Sequence, residues 1–250
     1  MTSQYSDSPA DLPDAVLRYA SHPDGLIDIH APDDDEAHPL VVLVHGGFWR
    51  ATFDRRHTRP LATALRNEGF IVATPEYRRV GGAGGWPATT EDIDAVVAAL
   101  PGLLQGIGLA TTTTTLVGHS AGGHLVLWLA NQAHPVDRVV GLAPVGDLRA
   151  AARDHLGDDA TQAFLGGAPE EVPQRYDAAD PATRFATRPG CRVVVVHGTQ
   201  DTNVPVANSR GLASRHRFVD LRELPGADHF ALIDPGSAAW PAVLSAVRGE

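Results

Sequence analysis

The chain has 250 residues, 43% hydrophobic and 20% charged, which is enough apolar material for one packed domain. Its formal net charge of −10 repels phosphate backbones and anionic lipid headgroups, so nucleic acid and membrane surfaces are poor candidates as partners. All 20 basic residues are arginine. Without a lysine amine, a pyridoxal Schiff base, a lysine-dependent phosphate loop and a Ser–Lys dyad are excluded.

Cysteine usage and the absence of a targeting pattern predict a cytoplasmic protein. The single cysteine, Cys191, cannot form an internal disulfide, so nothing indicates an oxidising compartment. Residues Met1 to Ala10 are polar and lack the basic-then-apolar pattern of a signal peptide. No apolar run approaches the roughly 18 residues that a membrane span requires. The acidic run Asp33–Glu36 is interpreted as a solvated turn.

Short aliphatic runs predict strands that are buried on both faces, as in a parallel sheet covered by helices. The predicted strands are Leu26–His30, Leu40–Val44, Phe70–Ala73, Thr115–Val117, Arg138–Leu142, Arg192–Val196 and Phe218–Leu224. The predicted helices are Arg59–Glu68, Glu91–Leu103 (capped by Thr89 or Thr90), Ala121–Ala133, Asn208–Arg217 and Trp240–Val247. The alternation indicates an α/β fold with a doubly wound, mostly parallel sheet.

Two departures from simple alternation are expected. The first two strands are separated only by the acidic turn near Asp33, so they are predicted to form an antiparallel hairpin at one edge of the sheet. Residues 144–190 contain repeated prolines, among them Pro169, Pro173, Pro181 and Pro189, spread among short amphipathic pieces, and the segment is too long for a simple connection. We interpret 144–190 as a cap insertion lying over one end of the sheet of a single domain, 1–250.

The strongest chemical signal is Gly118-His119-Ser120-Ala121-Gly122, a G-x-S-x-G pattern between a predicted strand and a predicted helix. That context is the one a nucleophile elbow requires. The sharp turn forces Ser120 into a strained backbone conformation, and residues two positions away must be small to avoid collision. Ser120 is therefore the predicted nucleophile.

A second signal, His45-Gly46-Gly47-Phe48-Trp49, directly follows the predicted strand Leu40–Val44. Glycines in this place let backbone N–H groups turn toward a developing negative charge, which is how acyl-transfer enzymes stabilise an oxyanion. The expected donors are the N–H groups of Gly47 or Phe48, together with that of Ala121.

The acid and the base are predicted from the two loops that follow the last two strands. Asp201 lies in the loop after Arg192–Val196, and His229 lies in the loop after Phe218–Leu224. Loops at the carboxyl ends of parallel strands meet at one edge of a sheet. His229 is thus the expected general base, held in one tautomer by the Asp201 carboxylate, in the chain order Ser, Asp, His.

The other candidates receive structural interpretations. Asp228 is set aside because it adjoins His229 and is expected to point away from its ring, and Asp220 is expected to face solvent. His119, His124 and His197 are interpreted as structural. No histidine spacing typical of a metal site is present in the sequence, so neither a metal nor a cofactor is expected.

On these motifs the chain resembles the α/β-hydrolase superfamily over nearly its whole length. HGGFW (45–49) and GHSAGGH (118–124) are similar to small carboxylesterases of the hormone-sensitive-lipase and feruloyl-esterase-like kind, and to arylformamidases (kynurenine formamidases) with the motif H-G-G-x-W. Phe48 departs from the third glycine usual in the esterase motif, and Trp49 fits the formamidase motif. The resemblance implies the triad Ser120, Asp201 and His229.

These patterns predict a cofactor-free hydrolase of carboxylic esters or small amides that works through an acyl-enzyme. The aromatic side chains of Trp49 and of Trp86, in the loop 81–87, are predicted to line the substrate pocket. An arylformamidase acting on N-formylkynurenine is the first alternative. A non-catalytic ligand-binding protein of the same fold is the second. The oligomeric state and the natural substrate do not follow from the sequence.

Overall fold

The computed structural model describes residues 12–250, so the predicted lack of a signal peptide in Met1 to Ala10 falls outside the described residues. A single sheet of eight strands, in the order β1-β2-β4-β3-β5-β6-β7-β8, runs through this part of the chain. The strands are β1 (Ala15–Arg18), β2 (Leu26–His30), β3 (His38–Val44), β4 (Ile71–Pro75), β5 (Thr111–His119), β6 (Arg138–Leu142), β7 (Arg192–Gly198) and β8 (Val219–Leu224).

The helices cover both faces of this sheet. They are α1 (Arg59–Asn67), α2 (Ala88–Gly106), α3 (Ala121–Leu129), α4 (Leu148–Arg153), α5 (Leu156–Leu165), α6 (Pro173–Ala179), α7 (Pro181–Arg184), α8 (Val206–Arg215) and α9 (Trp240–Arg248). From β4 to β8 neighbouring strands pair in parallel, because a helical connection returns the chain to the same end each time. The predicted α/β, mostly parallel sheet is confirmed.

The predicted edge hairpin is wrong in its partners. β2 pairs antiparallel with β1 on one side and with β4 on the other, so β2 and β3 are not neighbours. The aliphatic β3 is buried along most of its length and lies between β4 and β5. The half-exposed β1, which the aliphatic-run criterion missed, takes the edge. The residues Asp33 to Glu36 are exposed, as predicted.

The helix α2 is longer than predicted and begins after Pro87. The predicted caps are wrong, because Thr89 and Thr90 lie inside the helix. Their hydroxyls donate to the carbonyl oxygens of Arg78 (2.6 Å) and Pro87 (2.7 Å) instead of accepting from helix N–H groups.

Residues 144–190 form four short helices, α4 to α7, between β6 and β7. Phe164, Leu165 and Tyr176 from this insertion are fully buried, and they join the same hydrophobic core as β3, α2 and α3. The insertion is therefore packed as part of the fold. Within residues 12–250, none of the helices combines the length and the apolar character needed to span a bilayer.

Candidate active site

Ser120 occupies the sharp turn between β5 and α3, with φ +56° and ψ −118°. The two flanking glycines are sterically required. A Cβ on Gly118 would lie 2.2 Å from the carbonyl oxygen of Gly122, and one on Gly122 would lie 2.2 Å from that of Val44. The φ of Ser120 is unfavourable for a side-chain-bearing residue and is held by the packing around the turn. The turn has the geometry predicted for a nucleophile elbow.

Asp201 and His229, predicted from separate loops, lie in direct contact. The distance between Nδ1 of His229 and Oδ2 of Asp201 is 2.6 Å. Backbone N–H groups of Asn203 and Val204 donate to Oδ1 of Asp201 at 2.8 Å each. Burial opposes ionisation of Asp201, but hydrogen bonds from His197 and His229 outweigh it and hold the pKa of this carboxyl well below its usual range. The carboxylate therefore favours the His229 tautomer that carries its proton on Nδ1 and leaves Nε2 unprotonated.

Ser120 and His229 are both nearly buried, at 2% and 4% exposure. Among the hydrogen bonds of residues 12–250, none joins Ser120 Oγ directly to His229 Nε2. The ring centroid of His119, the residue before Ser120, lies 4.5 Å from that of His229. In enzymes without bound substrate this contact is often long, and it tightens when substrate binds. The structure thus brings the predicted acid and base together, and the residue before the predicted nucleophile contacts the predicted base.

The backbone of the HGGFW segment turns sharply after β3. Gly47, Phe48 and Trp49 all have positive φ, at +112°, +51° and +56°. The N–H groups of Gly47 and Phe48, and that of Ala121 at the first position of α3, make no backbone hydrogen bond within residues 12–250. Unused donors at the start of a helix and in a turn are suited to binding a negatively charged oxygen.

A buried carboxylate that sequence reasoning missed holds this segment. Oε1 of Glu76 lies 2.8 Å from Nε2 of His45, and Nδ1 of His45 donates to the carbonyl oxygen of Gly46 at 2.8 Å. In a trans peptide the carbonyl and the next N–H point in opposite directions, so fixing the Gly46 carbonyl also fixes the N–H of Gly47. The signal was an acidic residue directly after the buried strand β4.

Two histidines given structural interpretations contact the acid–base pair. Nε2 of His197 lies 3.3 Å from Oδ2 of Asp201, and its Nδ1 lies 2.7 Å from Oγ of Ser209. Nε2 of His119 donates to the carbonyl oxygen of His229 at 3.0 Å. Burial, then the nearby His229, lowers the pKa of His119 well below its usual value, so His119 is neutral. Both side chains position the pair.

The two predicted pocket residues, Trp49 and Trp86, each pack against another aromatic ring. Trp49 is fully buried, and its ring stacks on Phe164 with centroids 4.7 Å apart, so it packs in the core. Trp86 packs edge-on against Trp128, eight residues after Ser120 on α3 and thus about 12 Å along the helix. Trp86 is half-buried. A role of Trp49 and Trp86 in lining the substrate pocket stays a prediction.

No group of three or more His, Cys, Asp or Glu side chains within residues 12–250 is arranged to hold a metal ion. The single cysteine, Cys191, is half-buried, and burial raises the pKa of its thiol.

Residues 27–215 match the family model BD-FAE, which is three quarters of the chain. The chain belongs to the BD-FAE family. Three proteins of Mycobacterium tuberculosis are similar to this BD-FAE chain. Esterase LipC is 25% identical over 86% of this chain, esterase LipQ 25% over 76%, and the probable carboxylic ester hydrolase LipM 26% over 82%. The chain spans 59%, 50% and 52% of their respective lengths.

Solved structures place this BD-FAE chain in the α/β-hydrolase fold. A carbohydrate esterase from gut microbiota has a TM-score of 0.75 at 18% identity, covering 88% of this chain and 90% of its own. Esterase B from Lactobacillus rhamnosis, with a tributyrin phosphonate inhibitor, has a TM-score of 0.75 at 17% identity, covering 95% of this chain and 84% of its own. At these identities the likeness concerns the fold.

Proposed function

We propose that this protein hydrolyses carboxylic esters through Ser120, His229 and Asp201. The observation that carries the proposal is the 2.6 Å contact between His229 and Asp201, together with a serine at φ +56° on a strand–turn–helix elbow whose preceding residue bonds to His229. Strained backbone conformations of this kind cluster at active sites. Relatives named as esterases support ester over amide as the bond cleaved.

In the proposed reaction, Ser120 Oγ attacks the ester carbonyl carbon while His229 Nε2 takes the hydroxyl proton. The carbonyl electron pair moves to the oxygen. When the tetrahedral intermediate collapses, the carbon–oxygen bond to the alcohol breaks, and His229 returns the proton to the leaving alkoxide. Water then attacks the acyl carbon while His229 Nε2 takes a proton from it. The bond between the acyl carbon and Ser120 Oγ breaks, and His229 returns the proton to Ser120 as the acid leaves. Asp201 stabilises the imidazolium in both halves.

The N–H groups of Ala121 and of Gly47 or Phe48 are proposed to bind the oxyanion. Loss of one such donor in acyl-transfer enzymes lowers kcat by about 10²–10³. The insertion 144–190 is proposed to act as the cap that shapes the substrate site, because its residue Gly157 contacts the ring of Phe48 next to these donors.

The test is hydrolysis of a p-nitrophenyl acyl series by the wild type, Ser120→Ala and Ser214→Ala. Ser214 is an exposed serine on α8, and its replacement is the matched control. Turnover that survives in Ser214→Ala and is lost in Ser120→Ala supports the proposal. Undiminished turnover in Ser120→Ala contradicts it.

N-formylkynurenine, run beside the esters, separates the esterase from the arylformamidase that the H-G-G-x-W motif predicts. Preference for the formamide moves the substrate class to N-formyl aromatic amines and leaves the mechanism in place. A wild type that turns over neither substrate, and whose Ser120 is not labelled by an organophosphonate, favours the non-catalytic alternative. A cytoplasmic location and the cleavage of other small amides stay predictions.

A further inference from the structure

Two residues of the HGGFW segment, Phe48 and Trp49, and the arginine that follows them contact one short part of the insertion, residues 155–164. The Phe48 ring lies so close to Gly157 that a Cβ there would come within 2.7 Å of it. Trp49 stacks on Phe164 at 4.7 Å with an interplanar angle of 14°. The Arg50 guanidinium donates to the carbonyl oxygens of Gly157 and, at 3.0 Å, of Asp158.

His124, on the helix that begins directly after the proposed nucleophile, bonds to both the HGGFW segment and the insertion. Its Nδ1 accepts from Nε1 of Trp49 at 3.2 Å, and its Nε2 donates to the carbonyl oxygen of Ala179 at 3.0 Å. Burial lowers the pKa of His124 to about 4, so the ring is neutral and keeps one donor and one acceptor. One side chain thus joins the HGGFW segment, α3 and the insertion.

Both partners in these contacts have unfavourable backbone conformations. Phe48 and Trp49 have φ of +51° and +56°, in the left-handed region that bulky residues avoid. Across from them, His155, Asp158 and Asp159 also have positive φ. Such conformations persist only where the surrounding structure holds them. The Phe48 ring packs on this left-handed turn, and the Arg50 guanidinium binds its carbonyl oxygens.

The backbone of the segment has separate support from the chain after β4. Val80 N–H donates to the Trp49 carbonyl at 2.8 Å, and Ala51 N–H donates to the Val80 carbonyl at 2.9 Å. These two bonds support the backbone of the segment independently of the Arg50 side chain. What the contacts with 155–164 add is the orientation of Phe48 and of the peptide that precedes it.

We propose that residues 155–164 of the insertion position the oxyanion donors, with Arg50 as the positioning residue that transmits the contact. The inference rests on the proposed function and adds to it a role for the insertion besides shaping the substrate site. A small displacement of a donor lowers the rate for every substrate alike, because the oxyanion is common to all of them. A pocket wall acts differently, since its effect depends on the size of the acyl group.

The test compares Arg50→Met, which keeps the aliphatic stem and removes the donors, with Arg153→Met. Arg153 lies in the same insertion, its side chain is 71% exposed, and within residues 12–250 its ion pair is with the adjacent Asp154. With p-nitrophenyl acetate, butyrate and octanoate, we expect Arg50→Met to lower kcat by about tenfold to a hundredfold for all three, with little change in KM. Arg153→Met is expected to match the wild type.

A second measurement reports on the oxyanion site itself. An alkyl trifluoromethyl ketone binds serine hydrolases as a hemiketal whose oxyanion occupies that site. We expect its inhibition constant to rise in Arg50→Met by the same factor as kcat/KM falls, and to recover partly in Arg50→Lys. Phe164→Leu, which weakens the stack on Trp49, is also expected to raise the inhibition constant and lower kcat/KM. Thermal melts check that each variant is folded.

Either of two results overturns this inference and leaves the proposed function in place. One is an Arg50→Met variant that equals Arg153→Met with all three esters. The other is a loss that grows with acyl length while acetate turnover and ketone inhibition stay unchanged, since that pattern identifies a pocket wall. A wild type inactive with every ester, with Ser120 unlabelled by a phosphonate, refutes the proposed function and this inference together.

Discussion

Nε2 of His119 lies 3.0 Å from the backbone carbonyl oxygen of His229, so the residue preceding the proposed nucleophile holds the residue proposed as its base. The two are separated by 110 positions in the sequence. Because the acceptor is a carbonyl, Nε2 of His119 carries the proton, and its Nδ1 has no hydrogen-bond partner within the described part of the chain. Both residues are buried, and this contact holds the His229 loop together with the Asp201 contact.

Replacing His119 is expected to test that contact. His119→Leu removes the donor, and we expect kcat for a short acyl ester to fall by about tenfold to a hundredfold through misplacement of His229. His119→Gln carries an amide N–H at a similar reach and is expected to restore much of the loss. Steady-state kinetics with p-nitrophenyl acetate measure both. Equal losses in the two variants, at equal thermal stability, contradict a positioning role for the Nε2 donor.

Two aspartates can be compared as the acid partner of His229. Asp201→Asn is expected to lower kcat by about 10³–10⁴, because an amide favours the wrong imidazole tautomer. Asp228, directly before His229, is exposed and caps its own loop by accepting from the N–H groups of Phe230 and Ala231. Asp228→Asn keeps that acceptor and is expected to stay within a few-fold of wild type. The reverse ranking in a kcat comparison contradicts the assignment.

The elbow glycines are expected to resist even one added methyl group. Gly122→Ala would place a Cβ 2.2 Å from the Val44 carbonyl oxygen and 2.4 Å from that of His45, both rigid backbone. We expect a loss of about 3 kcal/mol in unfolding free energy. Gly102, inside α2 with no atom within 4 Å of a Cβ, is the matched helical control. Gly102→Ala is expected to add up to about 1 kcal/mol. Urea titrations measure the unfolding free energy of both variants. Similar changes in the two variants contradict the steric argument.

Asp180, in the insertion, makes the stability of the folded protein depend on pH. Its carboxylate accepts from the N–H groups of Leu148 and Ala182, at the starts of α4 and α7. Burial raises its pKa from 3.8 to about 6 despite these bonds, so the folded state binds the proton more tightly than the unfolded chain. This contribution to stability is complete below about pH 4 and is lost as pH rises to about 6. Two pKa units correspond to about 3 kcal/mol.

Urea unfolding of the wild type and Asp180→Asn, between pH 4 and pH 7, measures this contribution. The wild type is expected to lose stability relative to Asp180→Asn over that range, because the amide does not ionise. Asp177→Asn, which changes an exposed carboxyl on α6, is expected to track the wild type. A wild type that gains stability relative to Asp180→Asn as the pH rises contradicts the raised pKa of Asp180.

The sequence by itself determined the features that local sterics and strand ends control. The elbow at Ser120 follows from glycines two residues to either side, because only they fit between β5 and α3. Asp201 and His229 were predicted to meet because parallel strands end at the same edge of the sheet, and their 2.6 Å contact confirms that reasoning.

Only the tertiary structure decided the features that depend on segments far apart in the chain. The strand order put β4 between β2 and β3, since the aliphatic β3 gains more from burial between two neighbours than in an edge hairpin. Trp49 lies in the core because Phe164 of the insertion offers its ring a flat partner. The Glu76–His45 pair and the His119–His229 contact join residues 31 and 110 positions apart. Local patterns carry no information on such pairings, because they arise only when helices and strands pack together.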